Sequence, residues 1–372
     1  MADLSITVDG IKFPNPFVIG SGPPGSNAST INRAFDQGWG GVVCKTVALE
    51  CEKVHNVAPR YARLKMEAEG LKKNQAIYGF QNIELISDRS FDDWMDDFKK
   101  VKDKYPDRVL IASIMEEPRK EAWQEITERC QEAGADAFEL NLSCPHGLPE
   151  RRMGMAMGQH PDVVKEVCGW VMEVAKVPVW AKMTPNVTDI TVPAQAAYDG
   201  GVDGISAINT ILSVMGVDLD TLRPMPTVEG YTTPGGYSCK AVRPIALRMV
   251  MELAQAFPGK SISGIGGIET GNDAAQFILM GCNTVQVCTG VMLHGYKMVK
   301  PMIEELSAFM DKHGFKSIED FRGHALEYFT THADLAERQR IAKVKKPLER
   351  DSDWDGENFV KQSDALAANT TS

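Results

Sequence analysis

The sequence predicts an α/β protein built on a closed (β/α)8 barrel of the TIM type. Three observations carry that expectation: eight short apolar runs bounded by turn residues, helical apolar stripes between several of them, and a length of 372 residues. The runs are continuous rather than alternating, as parallel strands covered on both faces require. The alternative, a doubly wound open sheet, usually has fewer strands.

In chain order the strands are expected in "FVIGSGP" from Phe17, "GVVCKT" from Gly41, "VLIASIM" from Val109 and "DAFELNLS" from Asp136. They continue with "VPVWAKMTPN" from Val177, "DGISAINT" from Asp203, "SISGIGG" from Ser261 and "NTVQVCTG" from Asn283. After Pro161, the residues Val163, Val164, Val167, Cys168, Val171 and Met172 recur at three- and four-residue steps and predict a helix facing the sheet. A second stripe starts at about Tyr296 with Val299, Met302, Ile303, Leu306, Phe309 and Met310, and Gly314 lies just past its end. Residues 47–108 and 209–260 are too long to be plain connections and are expected to be insertions or lids over the strand ends. The barrel is expected over residues 1–315. Residues 316–372 read as a C-terminal extension: a solvated helix of mixed charge, an extended arm suited to a dimer contact, and ten disordered terminal residues.

Composition narrows the function. A net charge of −10 disfavours a nucleic-acid partner, which selects for basic faces, and favours a small molecule. The eight cysteines, at 44, 51, 130, 144, 168, 239, 282 and 288, include no Cys-x-x-Cys pair, so neither an iron–sulfur cluster nor a structural metal is expected. No run approaches the roughly 18 apolar residues of a membrane helix. The start, "MADLSITVDG", has no targeting pattern, which gives a cytoplasmic expectation for the sequence as it stands.

In such a barrel the active site lies at the C-terminal ends of the strands. Lys45 follows the second strand, Asn141 the fourth, Lys182 the fifth, and Asn209 and Thr210 the sixth. The glycines after the last two strands stand where barrels hold phosphate through backbone N–H groups, and Gly266, Gly267, Thr289 and Gly290 fit that role; a tight turn alone would also account for the glycines. "GIGGIETG" is not a dinucleotide fingerprint, because its third glycine would fall at Glu269. A phosphate site beside buried lysines points to flavin mononucleotide (FMN), with Lys182 near the N1 and C2-carbonyl edge. Two other readings of Lys182 stay open: an ion pair inside the barrel, and a Schiff base as in barrel aldolases.

The motifs "NLSCPHG", "AKMTPNVTDI", "INTILSVMG", "YTTPGGYS", "AVRPIAL", "SGIGGIETG" and "QVCTGV" together resemble the flavin domain of the dihydropyrimidine dehydrogenases, relatives of the class 1 dihydroorotate dehydrogenases. The likeness is greatest to their short plant-type form and runs from about residue 4 to beyond residue 330. It implies NADPH-dependent reduction of uracil and thymine through FMN, the first step of reductive pyrimidine catabolism, by a homodimer that takes no iron–sulfur cluster. It places FMN against Gly20, Ser21, Lys45, Thr46, Lys182, Gly236, Gly266, Gly267, Cys288 and Thr289. It places the pyrimidine against Asn82, Glu84, Asn141, Asn209 and Thr210. Cys239 departs from the family, whose animal members have glycine there. The resemblance gives Cys144 its role: flavin N5 delivers hydride to C6 and Cys144 gives a proton to C5. Pro145 and Gly147 around His146 suit a closing loop. An anionic Glu84 is expected to repel the carboxylate of dihydroorotate. Plant relatives are plastid enzymes, so a removed transit peptide would place the chain there. The alternatives are a class 1 dihydroorotate dehydrogenase, a Schiff-base lyase acting on a phosphorylated sugar, and a non-catalytic flavin or phosphate binder.

Overall fold

The computed structural model describes residues 2–66, 70, 72, 76–144 and 154–345. Eight parallel strands form a closed barrel: β1 (Phe17–Ile19), β2 (Gly41–Val43), β3 (Val109–Ile114), β4 (Ala137–Asn141), β5 (Val179–Lys182), β6 (Gly204–Ala207), β7 (Ser261–Ile265) and β8 (Thr284–Val287). Each pairs with its neighbours in chain order, and β8 returns to β1 through Val285 opposite Phe17 and Gln286 opposite Val18. All eight predicted runs contain the observed strands. Three of those runs open on a polar residue that the strand leaves out, and these residues hold the barrel's entry together. The Asp136 carboxylate accepts from Leu110 N–H, that of Asp203 from Val179 N–H, and the Asn283 amide oxygen from Ile262 N–H.

The outer ring is α1 (Ala28–Gln37), α2 (Phe91–Lys104), α3 (Lys120–Glu132), α4 (Pro161–Met172), α5 (Thr191–Asp199), α6 (Arg243–Ala256), α7 (Gly271–Leu279) and α8 (Val299–His313). Helix α4 carries the predicted stripe, with Val164, Val167, Cys168 and Val171 buried. Helix α8 ends at Gly314 with φ 78°, the left-handed C-cap that glycine adopts without a steric cost. The core continues past residue 315, since Ile318 and Phe321 are buried in it and the Phe321 ring lies 5.2 Å from that of Phe315. This compact unit runs to Leu326. From Glu327 a second unit begins, whose described helix, His332–Lys345, is largely exposed. The expected extended arm and disordered terminus lie outside the described residues.

Two features add to the predicted barrel. An antiparallel hairpin, Ile6–Val8 with Ile11–Phe13, turns at Asp9 and Gly10, both with positive φ. It buries Ile6, Val8 and Phe13 at the strands' N-terminal side, where Asp9 accepts from Trp180 Nε1 at 2.6 Å and from Ser261 Oγ. At the opposite end the two long insertions combine into one four-stranded antiparallel sheet, ordered Ile211–Ser213, Gly235–Ser238, Ile77–Asn82, Tyr61–Lys65. This hood sets Asn82 opposite both Gly236 and Tyr61.

Candidate active site

The barrel mouth and the hood enclose a cleft of about 1210 Å³ including its open entrance. Its floor is a buried polar cluster inside the barrel. Lys182, the last residue of β5, donates from Nζ to Glu139 Oε1 at 3.0 Å and to Gln286 Oε1 at 3.1 Å. Gln286 Nε2 donates in turn to Glu139 Oε2 at 2.7 Å and to the Ser206 and Ser263 hydroxyls. The side chains of Lys182 and Glu139 are only 5% and 2% exposed. The ion pair expected as one alternative for Lys182 is therefore present, and it coexists with a place on the cleft lining. A Schiff-base nucleophile must be free to attack, whereas the Lys182 amine is engaged by both Glu139 and Gln286, which counts against the lyase reading.

One wall carries hydroxyls and amides. Thr46 Oγ1 meets Ser21 Oγ at 3.2 Å and Ser113 Oγ at 2.8 Å, and accepts from Asn141 Nδ2 at 2.9 Å. Asn209 Nδ2 donates to Ser143 Oγ at 2.8 Å, and Asn209 Oδ1 accepts from Thr210 N–H. Residues from the ends of β1, β2, β4 and β6 thus meet in one chain of hydrogen bonds, with side chains able to donate and accept toward a ligand.

The hood contributes Asn82, Glu84 and Tyr61. Asn82 Nδ2 donates to the Gly236 carbonyl at 3.4 Å, and Asn82 Oδ1 accepts from Glu84 N–H. Glu84 does not stand as the isolated anion expected from sequence. Its Oε1 lies 2.6 Å from Lys45 Nζ and 3.4 Å from Arg60 Nε, and its Oε2 accepts from the Tyr61 hydroxyl at 2.8 Å. Burial pushes the Tyr61 hydroxyl up to about 12, so it stays a donor at neutral pH. The spacing of 39 residues between Lys45 and Glu84 gave no hint of the pairing.

The glycine-rich end is formed by Gly266, Gly267, Thr289 and Gly290, with Ser238 Oγ 2.8 Å from Thr289 Oγ1. Gly267 has φ 73°, and a Cβ there would lie 2.8 Å from the Cys239 carbonyl, so the turn itself demands glycine. Cys239, at φ 82°, occupies a conformation that favours glycine. Its thiol is buried under the hood. Burial pushes the half-buried Cys288 thiol up to about 12; Glu84 adds to the effect, while Lys182 and Lys45 oppose it. Glu269, noted in the sequence only as the residue that breaks a dinucleotide fingerprint, lines this end with Lys240 Nζ and His294 Nε2 each 3.1 Å from its Oε2. Of the expected residues, Gly20 and Gly236 stand just behind the lining: Gly20 precedes Ser21, and Gly236 holds Asn82 through its carbonyl.

Cys144 lines the same cleft three residues beyond the end of β4, half-buried against the core. The closing loop expected around His146, with Pro145 and Gly147, lies outside the described residues. The donor set fits FMN: two lysines, amides and hydroxyls surround a space open to a planar ring, and backbone at Gly266, Gly267, Thr289 and Gly290 borders its far end. Among the described residues no three of His, Cys, Asp or Glu converge as metal ligands, and no helix is long and apolar enough to cross a membrane. Sequence reading passed over Glu139, Gln286, Ser206 and Ser263. Their signal was a polar residue inside an otherwise apolar run, which in a closed barrel points to the interior.

The sequence model of the family described as dihydroorotate dehydrogenase matches residues 3–310. The chain is 58% identical to dihydropyrimidine dehydrogenase (NADP(+)), chloroplastic, of Arabidopsis thaliana, over 99% of this chain and 88% of that protein. It is 42% identical to the NAD-dependent dihydropyrimidine dehydrogenase subunit PreA of Escherichia coli (strain K12), over 90% of this chain and 79% of that one. The catalytic subunit of dihydroorotate dehydrogenase B (NAD(+)) of Pyrococcus abyssi is 36% identical, over 87% of this chain and 99% of that one. The crystal structure of DHODH in complex with ferulenol from Eimeria tenella shares the fold, with a TM-score of 0.71 at 22% identity over 87% of this chain and 88% of that one. The chain belongs to the dihydroorotate dehydrogenase family of oxidoreductases.

Proposed function

We propose that the chain is an NADPH-dependent dihydropyrimidine dehydrogenase that reduces uracil and thymine to their 5,6-dihydro forms in reductive pyrimidine catabolism. The observation that carries this reading is the thiol of Cys144 at the end of β4, in one cleft with Lys45, Lys182 and three asparagines. The 58% identity to the plant enzyme supports it, and the chloroplast location of that relative makes a plastid the proposed compartment.

FMN would be held by Ser21, Lys45, Thr46, Lys182, Cys288 and Thr289, with backbone at Gly20, Gly236, Gly266 and Gly267. When bound, it supplies a two-electron carrier between NADPH and the pyrimidine C6. Asn82, Asn141, Asn209 and Thr210 would orient the ring, since amides and a hydroxyl match its two N–H donors and two carbonyls. The Cys144 S–H bond gives its proton to C5 as C6 gains hydride, and the resulting thiolate takes a proton from water. The sum is pyrimidine, NADPH and one proton giving dihydropyrimidine and NADP+.

The purified protein is expected to be yellow and to release FMN on denaturation. Cys144→Ala should cut uracil reduction by about 10²- to 10⁴-fold, the span of general-acid catalysis, while NADPH still bleaches the flavin at nearly the wild-type rate. Wild-type turnover in that variant would remove the assigned role. Bleaching of the flavin by dihydroorotate, with no uracil-dependent NADPH oxidation, would make the chain a dihydroorotate dehydrogenase instead.

A further inference from the structure

A second, shallow concavity, of about 990 Å³ including the open solvent above it, lies outside the cleft and is lined by Ala58, Pro59, Arg60, Tyr61, Arg63 and Lys65. Its wall is the strand Tyr61–Lys65, the outer strand of the hood, which among the described residues pairs on one side only. Tyr61, Arg63 and Lys65 alternate along that strand and so share one face. Two of them reach toward the cleft: Tyr61 lines both spaces, and the Arg63 guanidinium lies over the ring of Phe80, itself part of the cleft lining. Among the described residues neither Arg63 nor Lys65 has a carboxylate partner, in a chain with ten more acidic than basic side chains. Arg60 is committed in part to Glu84. A concave surface carrying two cations without a counter-ion among the described residues, on the rim of a redox cleft, is complementary to a ligand with its negative charge at one end.

We propose that this groove takes the adenosine 2′-phosphate of NADPH. The inference rests on the reaction proposed above, and it follows from the shape of the dinucleotide. Its nicotinamide must reach the flavin inside the cleft, so its phosphate-bearing adenosine half extends outward past the hood. A phosphate monoester there meets a guanidinium, whose planar donors match phosphate oxygens, and an ammonium two residues away on the same face. Arginine is the usual partner of the phosphate that distinguishes NADP from NAD. No glycine-rich fingerprint is needed, because the donor docks against a sheet edge rather than a helix end.

Titration calorimetry of the oxidised, FMN-loaded protein with NADP+ and with NAD+ tests the assignment without turnover. Arg63→Gln and Lys65→Gln are each expected to weaken NADP+ binding about tenfold, the loss of one charge-assisted contact, and to leave NAD+ binding within about twofold. The NADP+ affinity of the wild type should fall with added salt, and that of the double variant should respond less. Uracil reduction by the dithionite-reduced double variant should match the wild type, which shows that both side chains can be removed without loss of the folded site. NADP+ binding within about twofold of wild type in the double variant would overturn the assignment while leaving the proposed reaction standing. An equal loss for NAD+ would place the shared pyrophosphate in the groove and overturn the choice of the 2′-phosphate. A wild-type protein that neither binds NADP+ nor reduces uracil with dithionite would remove the proposed reaction, and the groove's role with it.

Discussion

Lys182→Met tests the floor of the site directly. The change removes the only cation from a pair whose members are 5% and 2% exposed and leaves Glu139 with Gln286 Nε2 at 2.7 Å as its remaining donor among the described residues. Breaking a buried pair from one side costs about 3–5 kcal/mol, because the survivor keeps its desolvation penalty without its partner. With an unfolding entropy of about 2.1 cal/mol/K per residue over a unit of 326 residues, each kcal/mol moves the melting temperature by roughly 1.5 °C, so the expected loss is about 4–7 °C. The pH dependence has a definite sign. A lone buried carboxylate is disfavoured in its charged form and binds a proton more tightly folded than unfolded, so the deficit is smallest at about pH 5 and deepens as pH rises. Glu139→Gln leaves the buried ammonium instead, which binds its proton less tightly folded than unfolded, and its deficit shrinks as pH rises. Thermal melts by circular dichroism on flavin-stripped protein, from about pH 5 to 9, separate these slopes from any loss of bound FMN. Parallel pH slopes in the two variants, or a Lys182→Met protein as stable as wild type at about pH 8, would refute the reasoning.

Two further outcomes follow from the same structure. Cys288 borders the cleft but, with its thiol pushed up to about 12, it carries only about 10⁻⁴ thiolate at pH 8; iodoacetamide at that pH should leave it unmodified in the native flavin-free protein, as read by peptide mass spectrometry, and rapid labelling would contradict the burial argument. Asp9→Ala strips the acceptor from the buried Trp180 indole and from Ser261, with an expected cost of about 1–2 kcal/mol in thermal or urea unfolding; Asp9→Asn keeps an acceptor oxygen and should cost less, and equal losses would show that the turn rather than the acceptor matters.

The barrel was legible because a parallel strand covered on both faces has little choice of side chain. Val109–Ile114 is buried at all six positions, and its sequence reads as one apolar run. The strand ends were legible for a geometric reason, since any polar residue that closes such a run, as Asn141 and Lys182 do, must face the barrel mouth. The hood was not legible. Gly236 pairs with Asn82 across 154 residues, and "PGGYS" has no local strand signal, so its conformation comes from partners that no window of sequence contains. The N-terminal hairpin was readable in principle, because "TVDGIKF" places Asp-Gly between two short alternating segments.

The two lysines that the sequence marked out together stand at different depths, and each is already answered by a carboxylate. Lys182 meets Glu139 in the barrel interior, and Lys45 meets Glu84 under the hood at 2.6 Å. The four side chains therefore bring no net charge to the cleft. A neutral, planar pyrimidine can enter such a site without disturbing either pair, using the amides and hydroxyls between them. A ligand that adds a carboxylate would need a counter-ion, and the nearest candidate, Lys45, could serve only by leaving Glu84 to Arg60 and the Tyr61 hydroxyl. The basis for discrimination thus moves from a bare Glu84 repelling an anion to a cleft whose two lysines, among the described residues, are each already paired. In a space of low effective dielectric constant, that imbalance weighs more than it would in water. Arg63 and Lys65, which have no carboxylate partner among the described residues, stand outside on the hood's outer strand, so the same charge layout that suits a neutral substrate within leaves attraction for an anionic one at the rim.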